Sequence, residues 1–156
     1  MKKYFTAAFV IFTVLLFYGC ATHQKKEMTG EKKTTSETSR VMITTGTRTL
    51  PDFCKPGGIV KVKIDVVPAS QISGVIVAEK LPDGWEIVKS EPPISRIEPE
   101  NTYKWLQWAQ QVLPFSIMYD VRVPENAKGI YKFEGKITTY REGDIPIIGK
   151  SEIKVK

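Results

Sequence analysis

Catalysis without a bound cofactor needs titratable or nucleophilic side chains held close together, and few residues of this chain qualify. Its single histidine, His23, stands in a polar stretch near the N-terminus, and its two cysteines, Cys20 and Cys54, lie far apart. Paired carboxylates can hydrolyse glycosidic bonds without histidine, but only at a fixed separation on rigid elements. Glu91, Glu98 and Glu100 cluster, yet in a proline-rich stretch, and Asp120 falls on a solvent-facing strand position. No histidine follows His23 and no Asp-x-Asp loop is present, so no metal-ligand spacing emerges. Nor is there a glycine-rich phosphate loop or a nucleophile elbow. The residues predict no catalytic site, metal or cofactor, with a carboxylate-only hydrolase as the remote alternative.

Binding has better candidates. Tyr103, Trp105 and Trp108 sit on one expected strand. Strand alternation puts Tyr103 and Trp105 on one face and Trp108 on the other. Trp105 is expected in the core, whereas Tyr103 and Trp108, with Lys104, Gln107 and Gln110 nearby, are candidates for stacking on a sugar. Cys54 is expected as a small, buried apolar residue. Its alternative is a free or intermolecular thiol, because an odd cysteine in an exported chain has no partner of its own.

The formal charge of +6 overstates how basic the working part is. Lys2 and Lys3 belong to the first segment, and residues 41–156 carry a net charge of only +2. Nucleic-acid binders concentrate Lys and Arg on one stripe, whereas here they alternate with acids along the strands. Nucleic acid is therefore not an expected partner.

The N-terminus is more explicit. Lys2-Lys3 precedes an uncharged run from Tyr4 to Tyr18, then Gly19-Cys20. A charged start, a short apolar run and a small residue before the break predict a secretory signal over residues 1–19. The run is shorter than the ~20 residues of a spanning helix. Leu16-Phe17-Tyr18-Gly19-Cys20 resembles the lipobox of bacterial lipoproteins, with Phe17 and Tyr18 standing where that pattern favours Leu and a small residue. The resemblance implies a diacylglycerol on Cys20, cleavage before it, and a membrane-anchored cell-envelope protein. Ala21 after the cysteine implies the outer membrane. Residues 20–40 contain almost nothing apolar after Cys20 and are expected to form a flexible polar linker. Twenty coil residues reach about 25 Å.

From residue 41 the pattern changes to period two. Val60, Val62, Ile64 and Val66 alternate with Lys61, Lys63 and Asp65. Phe115, Ile117, Tyr119, Val121 and Val123 alternate with polar neighbours and Met118, and Tyr131, Phe133, Gly135 and Ile137 with Lys132, Glu134 and Lys136. Such alternation marks half-buried strands. Further strands are expected at 41–49, 73–80, 85–90, 103–108 and 147–155. Lys55-Pro56-Gly57-Gly58, Leu81-Pro82-Asp83-Gly84, Val123-Pro124-Glu125-Asn126 and Arg141-Glu142-Gly143-Asp144 carry turn chemistry between them, and 91–101 reads as a longer loop. The result is an all-β domain over 41–156, an antiparallel sandwich of seven to eight strands.

Gly57-Gly58-x-Val60, Glu79-x-Leu81-Pro82-x-Gly84-Trp85, Trp105, the alternating run from Phe115 to Pro124, and Gly129-x-Tyr131-x-Phe133-x-Gly135 together resemble an immunoglobulin-like module of secreted and cell-surface bacterial and archaeal proteins. The resemblance implies a spacer or adhesion unit with no catalytic residues. The expected function is a lipid-anchored, non-catalytic envelope protein that binds a protein partner, for example by strand addition at a sheet edge. A polysaccharide partner at the cell surface is the alternative.

Overall fold

The computed structural model describes residues 43–156. The expected signal segment and linker, with Cys20 and His23, lie outside the described residues. Thirteen strands follow in order: β1 (Thr45–Thr49), β2 (Phe53–Cys54), β3 (Ile59–Val67), β4 (Gly74–Lys80), β5 (Glu86–Glu91), β6 (Arg96–Glu98), β7 (Thr102–Trp108), β8 (Phe115–Arg122), β9 (Gly129–Lys132), β10 (Glu134–Thr139), β11 (Gly143–Pro146), β12 (Ile148–Gly149) and β13 (Glu152–Val155). Seven of them, β1, β3, β4, β5, β7, β8 and β10, have five residues or more. No helix occurs among the described residues.

Two five-stranded sheets, ordered β12-β1-β3-β8-β5 and β11-β10-β4-β7-β6, form the layers of a β-sandwich, and a three-stranded sheet, β2-β13-β9, is the third. Pairing is antiparallel except for the short parallel pairs β1–β12 and β2–β13. Alternation decides which residues meet between the layers. Val60, Val62, Ile64 and Val66 of β3 and Ile117, Tyr119 and Val121 of β8 are buried in the first sheet. Val75 and Val77 of β4, Tyr103 and Trp105 of β7 and Ile137 of β10 are buried in the second, in the same core. The Trp105 ring lies 5.5 Å from that of Tyr119 and its Nε1–H donates to Ser90 Oγ at 2.8 Å, so β7, β8 and β5 are joined across the layers.

Two sequence expectations need correction. The regular alternation from Tyr131 to Ile137 is not one strand. Phe133 breaks it, donating its N–H to Ser151 O at 2.7 Å, so that β9 pairs with β13 while β10 pairs with β4. The period survives because both halves turn odd residues toward the core, Tyr131 half-buried and Ile137 buried, with Phe133 between them packing edge-on against Trp85 at 5.6 Å. The stretch 91–101 is not all loop either, since Arg96–Glu98 adds β6 to the edge of the second sheet. Its return turn is locked by Asn101, whose Nδ2 donates to Pro82 O (2.9 Å) and Trp85 O (2.7 Å). Gly84, at φ +79°, closes the turn beneath it, a backbone region that glycine enters without steric cost.

Candidate functional site

A buried ion pair lies between the layers. Arg48 of β1 meets Glu79 of β4 in a bidentate pair, Nε to Oε1 at 2.7 Å and Nη2 to Oε2 at 2.8 Å. Arg48 Nη1 also donates to Lys150 O at 3.2 Å, and the Tyr119 hydroxyl donates to Glu79 Oε1 at 3.0 Å. Burial pushes the Glu79 carboxyl above its ordinary range, opposed by the Arg48 and Tyr119 hydrogen bonds. Burial and the neighbouring carboxylate hold the Tyr119 phenol protonated. Glu79 is 0 % exposed. A perturbed carboxylate marks an active site only where substrate can reach it. This cluster bonds the two layers together and faces no solvent.

No motif announces that cluster, but the phase of β4 does. Val75, Val77 and Glu79 share the buried face of β4, so the acid sits in an inward register. An inward charge demands a partner.

Two acids of the 91–101 stretch are engaged in ion pairs. Glu98 accepts from Lys104 Nζ at 2.6 Å and Glu100 from Lys80 Nζ at 2.5 Å, and each hydrogen bond holds its carboxyl below the ordinary value. A general acid needs the opposite shift. Asp120 pairs with Lys61 at 3.2 Å. Among the described residues no three of His, Cys, Asp and Glu cluster to hold a metal.

The proposed aromatic pair does not form one surface. Tyr103 is buried beside Trp105, because β7 alternates strictly and both lie in the inward phase. Trp108, on the outward phase, is 80 % exposed, and Leu106 and Ile76 lie beside it, paired in register across β7 and β4. Stacking on a sugar through Tyr103 and Trp108 together is therefore corrected to a single exposed ring. Cys54 is half-buried in β2 against the core, and burial raises its thiol above the ordinary value, which disfavours the reactive thiolate. Cys20 lies outside the described residues.

Strand addition also needs a long, flat, open edge. The edges here are β12 with two residues, β6 with three, β11 with four and ending on Pro146, β2 and β9 with two and four, and β5, whose pairing shifts between Ile87 and Lys89. They are short or bulged, which disfavours strand addition.

On the outer face of the first sheet a groove of about 400 Å³ is lined by Thr49, Lys61, Lys63, Lys89, Glu91, Met118 and Asp120. It follows from the register: Lys63 pairs with Met118 and Thr49, and Lys89 with Asp120. Met118, 53 % exposed, supplies the apolar part within that charged rim. The sequence showed it only as an apolar residue out of phase on β8.

No family model matches the chain, and no curated protein matches it. Among solved structures, a non-cellulosomal cohesin from the archaeon Archaeoglobus fulgidus is similar at 11 % identity and a TM-score of 0.47, covering 72 % of this chain and 91 % of that one. A chain of a type II cohesin–X–dockerin complex from Acetivibrio cellulolyticus, an N-terminal interface mutant, is similar at 8 % identity and a TM-score of 0.45, covering 72 % of this chain and 99 % of that one.

Proposed function

We propose that this chain is a lipid-anchored, non-catalytic protein of the cell envelope whose sandwich engages a protein partner through the outer face of β1, β3, β8 and β5. The carrying observation is the groove around Met118, an exposed flexible apolar residue set among Lys61, Lys63, Lys89, Glu91 and Asp120. An apolar centre within a charged rim is the arrangement of protein interfaces. Methionine adapts to the shape of what it meets, and mixed charges select a partner by complementarity. Cys20 is the anchor and the outer membrane its location.

The test is in-cell cross-linking of the full chain with a photo-reactive residue at position 49, on the rim of the groove, followed by mass spectrometry of what is captured. One protein partner is expected, lost on Met118→Asp or Lys89→Glu and displaced from membranes by Cys20→Ala. Capture that survives both groove substitutions would move the contact off this face. Recovery of polysaccharide and no protein would replace this reading by a carbohydrate-binding one.

A further inference from the structure

The β3–β4, β7–β8 and β10–β11 connections meet at one end of the sandwich, the same end at which the chain enters the domain. Thr44 donates its N–H (2.8 Å) and its hydroxyl (2.5 Å) to the Glu142 carboxylate, while its Oγ1 accepts from Ala69 N–H at 3.0 Å. The Tyr140 hydroxyl donates to Gln71 O and Arg141 Nη1 to Ser70 O, both at 3.3 Å. Ala109 N–H donates to Ser73 O at 3.0 Å and Val112 N–H to Ile72 O at 2.7 Å.

This end differs in composition from the rest of the domain. No charged residue occurs from Val66 to Ala78 or from Trp105 to Tyr119. Its exposed side chains include Trp108 (80 %), Leu113 (70 %), Tyr140 (70 %) and Ile43 (66 %), interspersed with Ser70, Gln71, Gln110 and Gln111. Among the described residues Arg141 is the exposed cation beside them, and the Glu142 carboxylate is bonded to Thr44 and Thr139. Tryptophan and tyrosine have an apolar body and a polar tip, which suits them to the boundary between lipid headgroups and acyl chains. Leu113 and Ile43 add aliphatic surface that water solvates poorly.

We propose that this end rests in the headgroup layer of the bilayer, with Trp108, Tyr140, Leu113 and Ile43 as the inserted residues. The proposal rests on the anchored reading. On that reading, the linker expected over residues 20–40 would, as coil, hold this end within about 25 Å of its lipid. Contacts too weak to hold a free domain are populated when their partner is tethered nearby. The Met118 groove shares none of these residues, so both surfaces can be used at once.

The full chain, lipidated or carrying Cys20→Ala, is mixed with phosphatidylcholine–phosphatidylethanolamine vesicles containing acyl chains brominated near the headgroup. Trp85 and Trp105 are 1 % and 0 % exposed, so Trp108 is the reporter. Flotation reads anchoring; quenching and blue shift of the emission read the contact. Flotation with quenching is expected, the quenching falling by about half or more in Leu113→Asp with Trp108 retained. With so little charge, it should be unchanged between ~0.1 and ~0.5 M salt. Flotation without quenching overturns the proposal and leaves the anchor standing. Quenching at high lipid concentration without flotation supports the contact and removes the anchor. Neither signal removes both. An emission shift produced by cell-wall polysaccharide in the absence of lipid, with no quenching by vesicles, would assign Trp108 to a glycan and overturn the proposal.

Discussion

Gly135 stands directly across the β10–β4 ladder from Glu79, and the space a side chain would need there is filled by the ion pair. A Cβ built on Gly135 would collide with Glu79 Oε2 and lie 2.6 Å from Arg48 Nη2 and 2.7 Å from Ile147 Cδ1. The glycine thus makes room for a buried pair bridging two layers. Gly135→Ala is expected to destabilise the domain by about 3 kcal/mol, because it both overpacks the core and disturbs a bonded buried charge. Gly74, where an added Cβ meets nothing within 4 Å, is the control. Gly74→Ala should change stability by about 0.5 kcal/mol or less. Urea unfolding followed by tryptophan emission measures both.

Arg48 and Glu79 should be far more costly to break than to replace. Removing one partner leaves the other buried and unpaired, so Arg48→Met or Glu79→Leu alone is expected to cost about 3–5 kcal/mol. Arg48→Met with Glu79→Leu leaves no orphan charge and should recover a large part of that loss. A double-mutant cycle on unfolding free energies reads the difference. A double variant no more stable than either single one would mean that the Lys150 carbonyl and Tyr119 hydroxyl, left unpaired, dominate.

Acid should loosen the end at which the chain enters. Partial burial works against ionisation of Glu142, but the hydrogen bonds from Thr44 and Thr139 outweigh it and hold the carboxyl below its ordinary 4.5. A carboxyl lowered in the folded state binds its proton more weakly than in the unfolded chain. Its stabilising contribution is therefore full above 4.5 and is lost as pH falls through the lower folded value. The Thr44 amide proton, bonded to that carboxylate at 2.8 Å, reports the transition. Its NMR shift should titrate with a midpoint below 4.5, and Glu142→Gln should abolish the step.

Much of this architecture is legible in the sequence because period two is decisive wherever one face is buried. The inward residues of β3 and β8 follow from their alternation alone. The break at Phe133 does not, since a strand that changes sheets without changing phase leaves the hydrophobic pattern intact. Arg48 is hidden for a related reason. It lies in Thr45-Gly46-Thr47-Arg48-Thr49, a run with no apolar residue to set the phase, so its inward position depends on pairing with β3. The Met118 groove depends on which strands become neighbours, and the charge-poor end depends on three connections distant in sequence meeting at Thr44. Such long-range pairings have no local signature.

Tyr103 and Trp108 are the residues for which that phase argument has a direct consequence. With Trp105 in the core, alternation leaves Tyr103 no position but an inward one, and the structure buries both. Tyr103→Ala should then behave as a core truncation and cost about 3–5 kcal/mol. Trp108→Ala removes a ring that is 80 % exposed and should move stability by about 0.5 kcal/mol or less. The two substitutions therefore separate folding from recognition. If Trp108 contacts a ligand surface, Trp108→Ala weakens that contact while its unfolding curve overlays the parent, and Tyr103→Phe, which keeps the ring, leaves the contact unchanged. A loss of contact in Tyr103→Phe with unaltered unfolding would show that the Tyr103 hydroxyl reaches a partner, contrary to its buried place on β7.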